Sequence, residues 1–205
     1  NVATAAADGT GELNYTVTVE DANGNPVEGV GVTTDSNGTG INYAGDDSQS
    51  TDGNGQVTVT ATSTNSQAVR FTFTEQQNGN NDSAIGTFEA GNSTGLNLAF
   101  AQNELSQGGG NTNTLTVSVQ DAQGNPITGE NVTLTVQQGS GQFVVGGTEQ
   151  GQSTTVTTDN GGFSSQVVYR QTESDSGMAV TVQAVDGSGQ ITEEASYSVA
   201  ELDRR

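Results

Sequence analysis

The sequence predicts an all-β protein, two β-sandwich domains in tandem, and three observations carry that expectation. First, VTVEDANGNPVEGVGVT at residues 17–33 returns one hundred residues later as VSVQDAQGNPITGENVT at 117–133, with Asp21, Gly24, Asn25, Pro26 and Gly29 among the positions that recur unchanged. A repeat of that length in a chain of 205 residues makes two domains of ordinary size, each able to bury a core. Second, apolar residues alternate with a period of two, and no window places them at i, i+3, i+4 and i+7 between helix caps. Third, Gly, Asn, Asp and Pro clusters punctuate the chain about every 8 to 12 residues, the spacing of short sandwich strands.

Residues 1–13 hold only a weak first strand, at 2–7, before a Gly-rich turn. Residues 13–20 alternate well, with Tyr15, Val17 and Val19 on the core face. DANGNP then breaks the alternation: Asp21 accepts hydrogen bonds from backbone amides two residues on, Gly24 or Asn25 takes positive φ, and Pro26 fixes φ before the strand carrying Val30 and Val32. Residues 35–50 read as a loop with Ile41 and Tyr43 in a short extended piece, and TDGNG at 51–55 reads as a turn. Residues 56–62 and 68–74 are the expected central strands, and 84–89 closes the first domain. GNSTG at 91–95 is the boundary, which gives domains at 1–93 and 94–205; so short a connection predicts restricted freedom between them.

The second domain follows the same plan, with strands expected at 96–105, 115–119, 132–136, 142–145, 154–157, 163–170, 178–185 and 191–202. Tyr15, Phe71, Phe73, Phe100, Phe163 and Tyr169 are expected in the cores. Tyr43 and Phe143, in loop-flanked segments, are candidates for a sugar or protein contact.

Four Arg against 24 acidic residues leave a formal charge of −20, spread over both halves. Such a surface repels phosphate backbones and anionic headgroups, so no nucleic-acid partner is expected. No apolar run reaches the roughly 18 to 20 residues of a membrane span, so no direct membrane insertion is expected either. The opening residues lack a basic segment followed by an apolar one, which makes the chain a mature protein or an excised fragment. An acidic surface without Lys suits high salt, where screening makes self-repulsion tolerable, so a halophilic origin and an ordinary polar surface protein both stand. With no Cys, cores and strand pairing must hold the domains.

The absence of His, Cys and Lys removes His-based triads, thiolate nucleophiles, the common Zn, Cu and Fe sites and Lys-dependent chemistry, so no enzyme is expected. Adjacent carboxylates remain at Asp46 and Asp47 and at Glu193 and Glu194, in segments that read as solvated. No organic cofactor is expected. Asp21, Asn23 and Asn25, at i, i+2 and i+4 around Gly24, offer oxygen ligands at a spacing that Ca²⁺ loops use. Turn hydrogen bonding explains the same residues, and both readings stand. Among the Asn-x-Ser/Thr sequons, Asn37, Asn81 and Asn92 fall in expected loops and are the candidate glycosylation acceptors.

The segments VTVEDANGNPVEGVGV and VSVQDAQGNPITGENV are followed by TDGNGQVTVTAT and TDNGGFSSQVVY. Together they resemble the bacterial immunoglobulin-like domains of invasin and intimin type, over about 12–90 and nearly all of 96–205. The resemblance implies two tandem immunoglobulin-like β-sandwich domains in an extracellular, cell-surface protein. It further implies a non-catalytic structural or adhesion module acting as a rigid spacer or display rod. The partners implied are other domains or subunits of the same surface assembly, and a host or cell-surface receptor. Domains of that family open with a strand like residues 96–100, whereas the first domain here offers only 2–7. Either the chain is cut inside that strand or a sheet edge is left open. The second case predicts a subunit of a pilus-like or viral fibre assembled by β-strand addition at that edge.

Overall fold

A computed structural model describes residues 2–164 and 166–201, which form two compact units, Asn1–Gly91 and Asn92–Arg205. The first unit contains β1 (Ala3–Ala6), β2 (Leu13–Thr18), β3 (Gly31–Ser36), β4 (Ile41–Tyr43), β5 (Ser48–Ser50), β6 (Gln56–Ser63), β7 (Gln67–Glu75) and β8 (Asn81–Glu89). They make two sheets, ordered β1-β8-β7-β3-β5 and β2-β6-β4.

The second unit contains β9 (Gly95–Phe100), β10 (Glu104–Leu105), β11 (Thr112–Gln120), β12 (Asn131–Gln138), β13 (Gln142–Val145), β14 (Thr148–Gly151), β15 (Ser153–Thr157), β16 (Val167–Arg170), β17 (Ala179–Val185) and β18 (Thr192–Val199). Its sheets run β10-β18-β17-β12-β15 and β14-β13-β16-β11-β9. Helical structure among the described residues is one 3-10 turn, Glu173–Asp175. The fold is therefore two Ig-like β-sandwiches.

The alternation does the folding. In β6, Val57, Val59 and Ala61 point inward between hydroxyl-bearing neighbours, and they meet Val69, Phe71 and Phe73 of β7 across the sandwich. In the second core, Leu115 and Val117 of β11 meet Val180 and Val182 of β17. Each such Val, Leu or Phe side chain, fully buried, contributes about 1.5–3 kcal/mol.

The repeated segment owes its form to a latch with the TD turn that follows it. The buried Thr51 hydroxyl donates to the Val27 carbonyl at 2.6 Å and accepts the Val30 amide at 3.0 Å; Thr158 makes the same pair with Ile127 and Glu130, also at 2.6 and 3.0 Å. Gly55 and Gly162 close the latch at φ of 71° and 73°. A Cβ at either would lie within 2.9 Å of the Cβ of Pro26 or Pro126, so Gly is required twice over. The Asp, Gly, Asn, Pro and Thr that recur in both halves are one cross-strand joint.

Several expectations shift. Residues 48–50, read as loop, form β5, and β14 had no counterpart in the sequence reading. The strand expected at 96–105 is two: β9 in one sheet and β10 in the other. Phe163, expected in the core, is 51% exposed. It lies opposite Ser118, while Val167 lies opposite Leu115, so four residues on one strand span three on the other. That bulge reverses the facing of everything before it. Phe143, a contact candidate by sequence, is fully buried beside Tyr169, because β13 is a sheet strand with an inward position there; Tyr43 packs partly buried against the first core. Ser165 and Leu202, inside strands expected at 163–170 and 191–202, lie outside the described residues.

Candidate functional site

The two units are copies of one plan that differ most at one edge. Aligned through the repeat, β2 corresponds to β11, β6 to β16 and β4 to β13. In the second unit β11 is paired on both sides, with β16 and with β9. Among the described residues of the first unit, β2 is paired with β6 alone and forms the end of its sheet. The strand β1 corresponds to β10, since each runs parallel to the last strand of its unit.

The consequence is visible residue by residue. Leu115, Val117 and Val119, on the strand that β9 flanks, are buried to 2% exposure or less, whereas Tyr15, Val17 and Val19 are only half-buried. The Val19 amide donates inward to the Gly55 carbonyl at 2.8 Å, so the alternate groups, those of Asn14, Thr16 and Thr18, face the free edge. In the second unit the matching groups are used: Thr94 and Ala101 amides donate to the Gln120 and Thr114 carbonyls at 3.0 and 2.9 Å. Beside the free edge lies a groove of about 210 Å³, lined by Val17, Val19, Val32, Phe73, Asn81 and Asp82. Further along β8, a Cβ at Gly86 would strike Leu13 and the Tyr15 hydroxyl.

The residues singled out by sequence occupy other places. Asp21 Oδ1 accepts the backbone amides of Asn23 and Asn25 at 2.8 and 2.9 Å, and the Asn25 side-chain amide reaches both carboxylate oxygens. Asp121 repeats this with Gln123 and Asn125. The Asn25 side chain, then the amides of Asn25 and Asn23, hold the Asp21 carboxyl below its usual value. No group of three or more His, Cys, Asp or Glu side chains stands in metal-binding array among the described residues. Asn37 and Asn92 are exposed outside strands, and the Asn37 side-chain oxygen accepts the Arg70 amide at 2.8 Å. Asn81, expected in a loop, is instead the first residue of β8, still exposed, because the strand runs three residues further back than its apolar pattern indicates. Asp46, Asp47, Glu193 and Glu194 are all exposed.

Sequence reasoning missed the buried hydroxyls of Thr51 and Thr158, although both recur as the Thr of a Thr-Asp pair. It also missed a buried knot in the second unit. There the Tyr169 hydroxyl accepts the Gly141 amide at 2.7 Å and donates to Asp175 at 3.4 Å, and Asp175 accepts the Ser140 and Thr172 amides at 2.6 and 2.8 Å. Burial pushes the Tyr169 hydroxyl up to about 12.

Comparison with known proteins fits this geometry. The chain shares its fold with FdeC, an Escherichia coli adhesin, at a TM-score of 0.59 and 20% identity over 98% of this chain and 61% of that one. It does so too with Yersinia pseudotuberculosis InvD, at 0.58 and 18% over 96% and 55%. The chain thus spans little more than half the length of those two. The D0-D1 domain of intimin aligns over 97% of this chain and 95% of its own at 21% identity, with a TM-score of only 0.41. A comparison with curated proteins finds no match. Residues 1–88 match the model of the bacterial Ig-like domain, group 1. The resemblance carried by the repeated segment is therefore upheld at the level of the fold: the chain is a tandem of Ig-like sandwiches whose first 88 residues match the bacterial Ig-like domain, group 1.

Proposed function

We propose that this chain is a non-catalytic adhesion module of an extracellular surface protein, in which tandem sandwiches act as a rigid spacer and display rod. The observation that carries the reading is the bacterial Ig-like match over residues 1–88, followed by a second domain on the same plan. FdeC, of like fold, is an adhesin, which supports the same role here. Its partners are neighbouring domains of one surface assembly and a receptor on another cell. The −20 charge keeps such a rod soluble and directs it away from anionic surfaces.

Antibody labelling of intact source cells, combined with binding of chain-coated beads to candidate target cells, tests the proposal. Surface labelling that protease shaving removes is expected; labelling confined to broken cells would overturn the reading. The competing reading, a fibre subunit joined by strand addition, needs one copy to donate a strand to the next. The bacterial Ig-like match and the fold shared with an adhesin favour the display module, which we retain. Concentration-dependent filaments in electron micrographs would reverse that choice.

A further inference from the structure

We infer that the outward face of β13 and β16 in the second unit carries a binding groove for a small aliphatic carboxylate, held by the Arg170 guanidinium over a floor of Val144 and Val168. The two units serve as each other's control. A sandwich strand turns alternate residues to solvent, and the first unit follows that rule with small polar ones. There β6 presents Thr60 and Thr62 outward, Thr60 stands opposite Asn14 of β2, and Ala44 beside it is exposed. At the matching positions the second unit has Val168, Arg170, Thr114 and Val144. Val144 and Val168 lie opposite each other, one residue away from the inward pair Phe143 and Tyr169, so both face away from the core. Two valines on a face that the sister unit fills with threonine and alanine point to a use other than core packing.

The groove over them measures about 470 Å³, the size of a small-molecule cleft. Val144 and Val168 are its apolar part, Thr112 and Arg170 line it with polar groups, and Gly146 and Gly147 of the β13–β14 turn border it. The hairpin is an addition of this unit. After β4 the first unit passes to β5 in the opposite sheet, whereas here β14 folds back on β13. It brings Glu149, whose Oε1 accepts a hydrogen bond from Nη1 of Arg170, while Glu149 itself is not part of the groove wall. That grip holds one nitrogen of the guanidinium and leaves Nε and Nη2 without a partner among the described residues. Such an edge takes a carboxylate in two parallel hydrogen bonds. Charge selects the headgroup: Arg170 is the one cation among the described residues of the second unit, and it stands where an acid can lay its aliphatic body on the two valines. Physiological salt screens the more distant acidic groups beyond about 8 Å, so the guanidinium decides locally. The inference is independent of the adhesive role.

The test titrates the whole, isotope-labelled chain with isocaproate, a branched aliphatic acid, and follows amide chemical shifts at about 0.15 M salt. Saturable shifts centred on Val144, Gly146, Gly147, Val168 and Arg170 are expected, with a dissociation constant on the order of 1 mM. Isocaproamide, which lacks the charge, and acetate, which lacks the aliphatic body, each bind at least about tenfold more weakly. Two variants take the residues of the first unit: Arg170→Thr weakens isocaproate binding at least about tenfold and Val168→Thr about fivefold. Both lie on a solvent face where the sister unit folds with threonine, and should a variant unfold, the amide and acetate comparisons decide on the native chain. No saturation in the tens of millimolar, shifts centred elsewhere, equal binding of either control compound, or indifference to Arg170→Thr would overturn the inference. So would a tripeptide ending in leucine that binds at least about tenfold tighter than isocaproate, since the groove would then belong to a peptide terminus.

Discussion

At the scale of the residue, short polar side chains hold this protein's turns, and each is testable. Thr51→Val removes a buried hydroxyl that both donates and accepts, which costs about 2 kcal/mol in urea unfolding; a loss under about 0.5 kcal/mol would show the latch to be ornamental. The Tyr15 hydroxyl makes the opposite case. It is buried without a hydrogen-bond partner, so Tyr15→Phe is neutral or stabilising by up to about 1 kcal/mol.

Backbone amides hold the Asp8 and Asp52 carboxyls below the ordinary 3.8, as the Asn25 side chain and turn amides do for Asp21. Since the folded values are the lower ones, these bonds contribute stability above that pH and lose it as pH falls through the depressed values. Below about pH 4 these turns therefore contribute a fall in melting temperature, and Asp21→Asn with Asp52→Asn removes that part of the fall. We propose that Asp21 is a turn former rather than a calcium ligand: chelation leaves the melting temperature within about 1 °C, and a calcium-dependent rise of several degrees would restore the other reading. The turn roles of Asp21 and Pro26 were legible because local chemistry dictates them. The latch was not, since Thr51 lies 24 residues from the carbonyl it holds.

At the scale of the element, alternation located most strands but not their pairing. It failed where register slips, at the bulge after Phe163, and where strands are polar, at β5 and β14. A single-residue bulge leaves no mark in the apolar pattern, and polar edge strands are defined by their neighbours. The swap between Tyr15 with Gly86 and Leu115 with Tyr197 shows two strands sharing one volume. Gly86→Ala is expected to destabilise the first unit by about 1–3 kcal/mol, and Tyr15→Leu in the same chain recovers part of it. Additive losses would refute the shared volume.

At the scale of the whole molecule, the fold class and the tandem plan were readable because the repeat is long and specific. The free edge was foreshadowed by the thin first segment, but only the pairing pattern shows that β1 is the counterpart of β10 and that β9 has none among the described residues of the first unit. The acidic surface makes a further claim. Screening shortens from about 10 Å at 0.1 M salt to about 3 Å at 1 M, so the melting temperature rises across that range, and a flat profile would remove self-repulsion from the account. The central claim is that one chain carries two copies of a sandwich, one with its edge closed by β9 and one with it open. Amide-resolved hydrogen exchange on the native protein tests it most directly. Thr16 and Thr18 are expected to exchange at least about 100-fold faster than Thr116 and Ser118, as exposed edge amides do beside paired ones; equal protection at the two sites would contradict it.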